Sequence, residues 1–245
     1  MCSSDLIATT FTAEKIAYKN AVNGISPDRT ANHANPFREW VGAAIRGDMF
    51  GYVNPSNPYE AARMAFTDAS ISHVKNGVYG EIFVSTLTSL AFAISDPREL
   101  ILESIKALPA KSRLVRDILK VVKSFDDGKS LKEVEDLIHA EYDENNRQYA
   151  VHVSPNIMII VMALLYAKDD FKKVLRYCID SGFDTDSTTA IAASVWGIIH
   201  GYELIDKDLY LLFNNTLQTT IFGIGSINID ELIDRTSKLC YREKC

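Results

Sequence analysis

Basic clusters, long apolar runs, paired cysteines and period-two alternation are all scarce in this sequence, and each scarcity closes off a class of function. Its 26 lysines and arginines are outnumbered by 32 acids, for a net charge of −6 at pH 7. No Lys/Arg patch stands out, which disfavours nucleic acid or an anionic membrane surface as partner. The longest apolar run, Ile157 to Ala167 (IMIIVMALLYA), has 11 residues. A bilayer needs about 20, so the run reads as a buried core helix. The four cysteines, Cys2, Cys178, Cys240 and Cys245, include no Cys-x-x-Cys pair. Neither a zinc cage nor a disulfide framework is suggested, and reduced thiols in a cytoplasm fit best. The opening MCSSDLIATTFTAEK lacks a basic segment followed by an apolar one, so no signal peptide is expected.

Helical periodicity is what the sequence has in quantity. PYEAARMAFTDASISHV opens with Pro58 at a first helical position, and DPRELILESIKALP starts with Asp96 as cap and Pro97 behind it. SLKEVEDLIHAEY carries Ser130 and Glu133 at capping-box spacing. VYGEIFVSTLTSLAFAIS has the mixed apolar spacing of a largely buried helix. Nothing reads as a strand series, and no repeat, low-complexity tract or long linker is visible. One all-α domain over residues 1–245 is expected. Ile25 to Pro58 is the exception, a long loop rich in Asn, Pro and aromatics, and such loops are often functional.

The densest polar chemistry is CIDSGFDTDSTTAIAASVWGIIHG, Cys178 to Gly201. Asp184-Thr185-Asp186-Ser187 has two readings. In one, Asp, Ser and Thr cap a helix by accepting from its free N–H groups. In the other, carboxylates at i and i+2 and a hydroxyl converge on a hard cation such as Mg²⁺, Mn²⁺ or Ca²⁺. An EF-hand is excluded: counted from Asp184, the sixth position is not glycine and the twelfth is Val195. Ala190, Ala192, Ala193, Ser194 and Gly197 follow, small enough to let a neighbouring helix approach.

Val151 to Gly201 resembles the C-terminal signature of the ADP-ribosylglycohydrolase family, which includes dinitrogenase-reductase-activating glycohydrolase and crystallin J1-like proteins. That signature is a Pro-Asn helix, an acidic loop, a second helix, then Gly-[Gly/Phe]-Asp-Thr-Asp-[Ser/Thr/Cys] opening a small-residue helix. Asn35 to Ser85 is similar to the middle section of a bacterial branch. The resemblance implies an orthogonally packed all-helical fold and two divalent metals, Mg²⁺ or Mn²⁺, with a ligand set on Asp184, Asp186 and Ser187. The implied reaction is hydrolysis at ribose C1 of ADP-ribosylated substrates, with Asp184 and Asp186 as catalytic acids; Glu81 joins them as a catalytic candidate on its own surroundings. The family's N-terminal motifs, Gly-Asp-Ala/Ser-x-Gly and Thr-Asp-Asp-[Thr/Ser], are not found. Asp5, Glu14 and Asp28 stand isolated, so the chain is expected to start partway through the fold, with half a metal site and impaired activity.

The same resemblance puts His73 and Asn156 near the substrate, and Asn76 and Gly77 join them because backbone there can approach a ligand. Each has a plainer reading: a helix-end histidine, a helix junction, a helix start. Glu81, beside Tyr79, Ile82 and Phe83, is expected to be partly buried and shifted in pKa. Trp40, Phe50 and Tyr52 suit stacking on adenine or simple packing. The expected partner is an ADP-ribose-containing small molecule or ADP-ribosylated protein, with no nucleic acid and no membrane. Self-association through a face left by truncation is also expected. The competing reading is a non-catalytic ADP-ribose-binding or structural, crystallin-like member.

Overall fold

The computed structural model describes residues 10–219, 221 and 223–240; Cys2, Asp5 and Cys245 lie outside them. Helices in chain order are α1 (Thr12–Val22), α2 (Pro27–Thr30), α3 (Asp48–Tyr52), α4 (Pro58–Ala69), α5 (Asn76–Ala91), α6 (Pro97–Ser104) and α7 (Arg113–Asp126). They continue with α8 (Leu131–Glu141), α9 (Arg147–Ala150), α10 (Val153–Ala167), α11 (Phe171–Asp180), α12 (Thr185–His200), α13 (Lys207–Tyr210) and α14 (Ile229–Cys240). Two three-residue strands, β1 (Thr216–Gln218) and β2 (Ser226–Asn228), pair antiparallel. The fold is all-α, as expected. No described helix is long and apolar enough to cross a membrane.

Two helices form the core because their sequences offer no polar face. In α5 every residue except Tyr79 and Leu90 is buried, and in α10 every residue except Tyr166. A helix apolar all round belongs inside. The buried hydroxyls of α5 bond back to its own turns: Ser85 and Thr86 donate to the Ile82 carbonyl at 2.9 and 2.8 Å, and Thr88 to Val84 at 2.8 Å. Helices α3, α4, α6 and α12 pack on α5, while α7, α8, α11 and α12 pack on α10. The buried run Ile157 to Ala167 is therefore the core helix that its length implied.

The terminal residues work as the pattern predicted. Asp96 accepts from the Glu99 N–H at 2.7 Å, and Ser130 and Glu133 make a reciprocal capping box. Ile25 to Pro58 differs from the expected open loop. It winds through α2, a 3₁₀ turn (Ala44–Arg46) and α3. Gly51 shows why α3 exists: a Cβ there would lie 2.5 Å from Thr88 Cβ and 2.8 Å from the Ser89 nitrogen. Close backbone approach, not propensity, seats this five-residue helix. Gly51→Ala is expected to lower stability by about 2–3 kcal/mol, read from urea denaturation; an unchanged midpoint would mean that α3 shifts outward freely.

Candidate active site

Helix α12 begins where two successive residues take left-handed backbone, Gly182 at φ 73° and Phe183 at φ 59°. Glycine adopts this freely, whereas phenylalanine there is strained. Its ring packs on His139 of α8 with centroids 5.0 Å apart, and a His139 ring nitrogen lies 3.0 Å from the Ser181 carbonyl. A Cβ on Gly182 would collide with the Glu144 carboxylate. The acidic loop is thus fastened to α8 on one side. On the other, Asn156 Oδ1 accepts from the Asp184 N–H at 3.0 Å. The Asn156 amide donates in turn to the His152 carbonyl at 2.8 Å. At the far end of α12, Trp196 Nε1 donates to the Lys168 carbonyl at 3.1 Å and its ring stacks on His200.

Asp184 occupies the N-cap position of α12 but makes no side-chain cap hydrogen bond. Its half-buried carboxyl lies with the Ser187 hydroxyl and the Asp186 carboxyl instead. Desolvation and the neighbouring Asp186 hold its pKa above the ordinary aspartate value, and the Ser187 hydroxyl opposes the rise. Asp186 is exposed and Ser187 half-buried. Among the described residues no group of three or more His, Cys, Asp or Glu side chains is placed to hold a metal ion. Two carboxylates and a hydroxyl have the donor chemistry for one hard cation, and they do not supply the opposed carboxylates that a pair of ions needs.

The remaining candidates sit inside the protein. Asn156 is fully buried, with both ends of its amide engaged. Asn76 donates to Glu39 Oε2 at 2.7 Å and accepts from the Leu114 N–H at 3.1 Å, fastening the start of α7. Gly77 allows α5 to approach the Arg38 carbonyl, which a Cβ would meet at 2.5 Å. Trp40 packs on Phe37 with ring centroids 4.5 Å apart.

His73 and Glu81 belong to a charged network around Arg46. The guanidinium pairs with Asp68, with Glu14 at 2.6 Å and more distantly with Glu81 at 3.8 Å, and donates to Ser72 Oγ at 3.2 Å. Ser72 Oγ lies 2.8 Å from His73 Nδ1. Glu81 has no exposed surface, where the sequence suggested partial burial. Burial pushes its carboxyl up to about 9 against the pull of Arg46, and the adjacent Asp68 adds to the rise. His73 is forced down to about 3 by burial and by the Arg46 charge. Glu14, isolated in the sequence, is a full member of this network. No hydrogen bond or ion pair among the described residues joins it to Asp184.

Sequence reasoning passed over Asp48. Burial raises it to about 7, Tyr52 Oη lies 3.4 Å from its Oδ2, and Oδ1 has no partner among the described residues. Tyr52 also touches Ser194 Oγ of α12 at 2.5 Å, so this aromatic ties α3 to the helix that carries Asp184. Asp48 and Tyr52 are only four residues apart, but Ser194 lies 142 residues further on, which keeps the three from being read as one unit.

A helical domain built on two buried helices, with a half-buried acidic helix start, defines a class before it defines a family. A family model described as ADP-ribosylglycohydrolase matches residues 5–240, and the chain belongs to that family. Membership places it among ADP-ribosylglycohydrolase-like hydrolases. Searches of curated proteins and of solved structures returned no match.

Proposed function

We propose that the chain hydrolyses the bond between the ribose of an ADP-ribosyl group and its acceptor, slowly, at the N-terminus of α12. One divalent cation, Mg²⁺ or Mn²⁺, would be held by Asp184, Asp186 and Ser187. The observation that carries this reading is that Asp184 stands at the cap position without capping. A purely structural aspartate would accept from the N–H groups of its own first turn. Here the backbone is fixed from outside by Asn156, and the carboxyl is left to its acidic and hydroxyl neighbours.

When bound, such a cation would neutralise the paired carboxylates and polarise a ribose hydroxyl or a water. Asp184, raised in pKa while no cation is bound, would give up its proton on binding one, so its role is to hold and orient the cation. Asn156 acts as a positioning residue, setting the direction of Asp184 without reaching the substrate. Glu81 and His73 belong to the Arg46 network, and their burial argues against substrate contact. Slow turnover follows from a donor set suited to one ion. That same limitation favours a second reading, an ADP-ribose-binding member without turnover.

Release of ADP-ribose from an ADP-ribosyl-arginine peptide with Mg²⁺ or Mn²⁺ tests the proposal. Asp184→Asn is expected to reduce release by about 10²-fold or more, with the thermal midpoint little changed. No release by the parent chain, together with ADP-ribose binding that ignores both metal and Asp184→Asn, would establish the second reading.

A further inference from the structure

Helix α7 borders an open groove of about 490 Å³ whose lining includes Ala110, Lys111, Arg116, Leu119, Lys120 and Lys123, and no acid. Arg116, Leu119, Lys120 and Lys123 fall at i, i+3, i+4 and i+7, so one side of the helix carries all four. Its other side, with Leu114, Ile118, Val121 and Val122, is buried. The sequence spreads these cations among apolar residues, and the helical turn gathers them. The stripe runs about 10 Å along the helix, the reach of about three extended residues.

The cations of this groove already hold carboxylates, and hold them at the surface. Glu141, at the end of α8, lies 3.3 Å from Arg116 and 2.5 Å from Lys120. Asp127 lies 2.8 Å from Lys123, and Arg116 also reaches the buried Asp117 at 2.8 Å. The Arg116, Lys120 and Lys123 side chains are 37% to 74% exposed, and exposed pairs exchange partners at little cost. Lys111 has no carboxylate partner among the described residues. Three carboxylates therefore serve four cations. Between the charges Leu119, 41% exposed, offers an apolar contact.

We propose that this groove docks an acidic segment of another protein, its carboxylates on Lys111, Arg116, Lys120 and Lys123 and one apolar side chain on Leu119. The geometry by which Arg116 and Lys120 share Glu141 shows that carboxylates fit these cations. A nucleic acid suits the groove less. Its affinity rests on many phosphate contacts, more than a stripe of this length supplies, and a sugar-phosphate backbone makes no use of Leu119. The inference does not depend on the glycohydrolase reading.

The probe is a short fluorescein-labelled peptide of glutamates flanking one leucine, titrated with the full chain and read by anisotropy. Binding is expected, and it should weaken as salt rises. Lys111→Glu combined with Lys123→Glu, both at exposed positions, is expected to weaken it about tenfold or more with the thermal midpoint retained. Leu119→Gln should weaken it about fivefold. Lys207→Glu combined with Lys238→Glu makes the same change in net charge outside the groove and should leave binding unchanged. No binding by the parent, an equal loss in that second pair, or indifference to Leu119→Gln would overturn the proposal. So would a thymidine oligonucleotide that displaces the peptide at equal concentration, which would make the groove a general polyanion site.

Discussion

Arg46→Met is expected to cost about 1–3 kcal/mol of stability and to lower the thermal midpoint by about 3–10 °C. Arg46 is the common counter-charge for Glu14, Asp68 and Glu81. Removing it strands the Glu14 and Asp68 carboxylates, while the wholly buried Glu81, which keeps its proton up to about pH 9, stays neutral. Methionine fills much of the space without supplying charge, so the loss reports electrostatics and not a cavity. Adding Asp68→Asn and Glu81→Gln to Arg46→Met should recover a large part of the loss, since an ion pair replaced on both sides is often nearly neutral. Guanidinium denaturation of the parent, the single variant and the triple variant checks this. A single variant as stable as the parent would show that water reaches the carboxylates and that the network carries no weight.

Glu81→Gln is expected to change how stability depends on pH. The folded state holds the Glu81 proton up to about 9, from an ordinary value of 4.5. Above pH 4.5 the unfolded chain binds fewer protons than the folded one, so stability falls as pH rises, by up to about 1.4 kcal/mol per pH unit, until about pH 9. His73 acts in the opposite direction. Its folded value of about 3 lies below the ordinary 6.5, so stability falls as pH drops from 6.5 towards 3. With Asp48 also raised, from 3.8 to about 7, the parent should be most stable near pH 4 and decline as pH rises above 4.5. Glutamine at position 81 keeps the shape and removes the proton linkage, so the alkaline decline should flatten markedly. Asp48, raised to about 7, leaves a decline that ends near pH 7, so the flattening is read between pH 7 and 9. Thermal midpoints from pH 5 to pH 9 give the result directly, and parallel profiles for parent and variant would mean that Glu81 is ionised in the folded protein.

The buried helices were readable because α10 has no polar side and α5 carries mixed apolar spacing with only small hydroxyls between. Caps such as Asp96 and Ser130 were readable because a cap is local, complete within four residues. Tertiary contacts carry the rest. Helix α3 is too short to show a period, and it forms because Gly47 and Gly51 let it lie against α5. Strands of three residues give no alternation to count, so the hairpin near residues 216–228 was invisible. At the acidic loop, residue types named the candidates, but a sequence cannot say whether an aspartate at a cap position caps. Asn156, 28 positions upstream of Asp184, decides that. Likewise Glu14 looked solitary, and its partner Arg46 is 32 residues away.

The Asn156 amide also reaches the chain on either side of Val151. It holds the carbonyls of Ala150 and His152 on one side and the Asp184 amide on the other. Val151, between those two carbonyl residues, accepts from the Val41 N–H at 2.9 Å, and His152 bridges to Trp40. One side chain therefore acts as a rivet through which the Trp40–Val41 segment and the acidic turn share a single anchorage. Whatever displaces that segment loosens the aspartates at a distance, with no contact of its own to them.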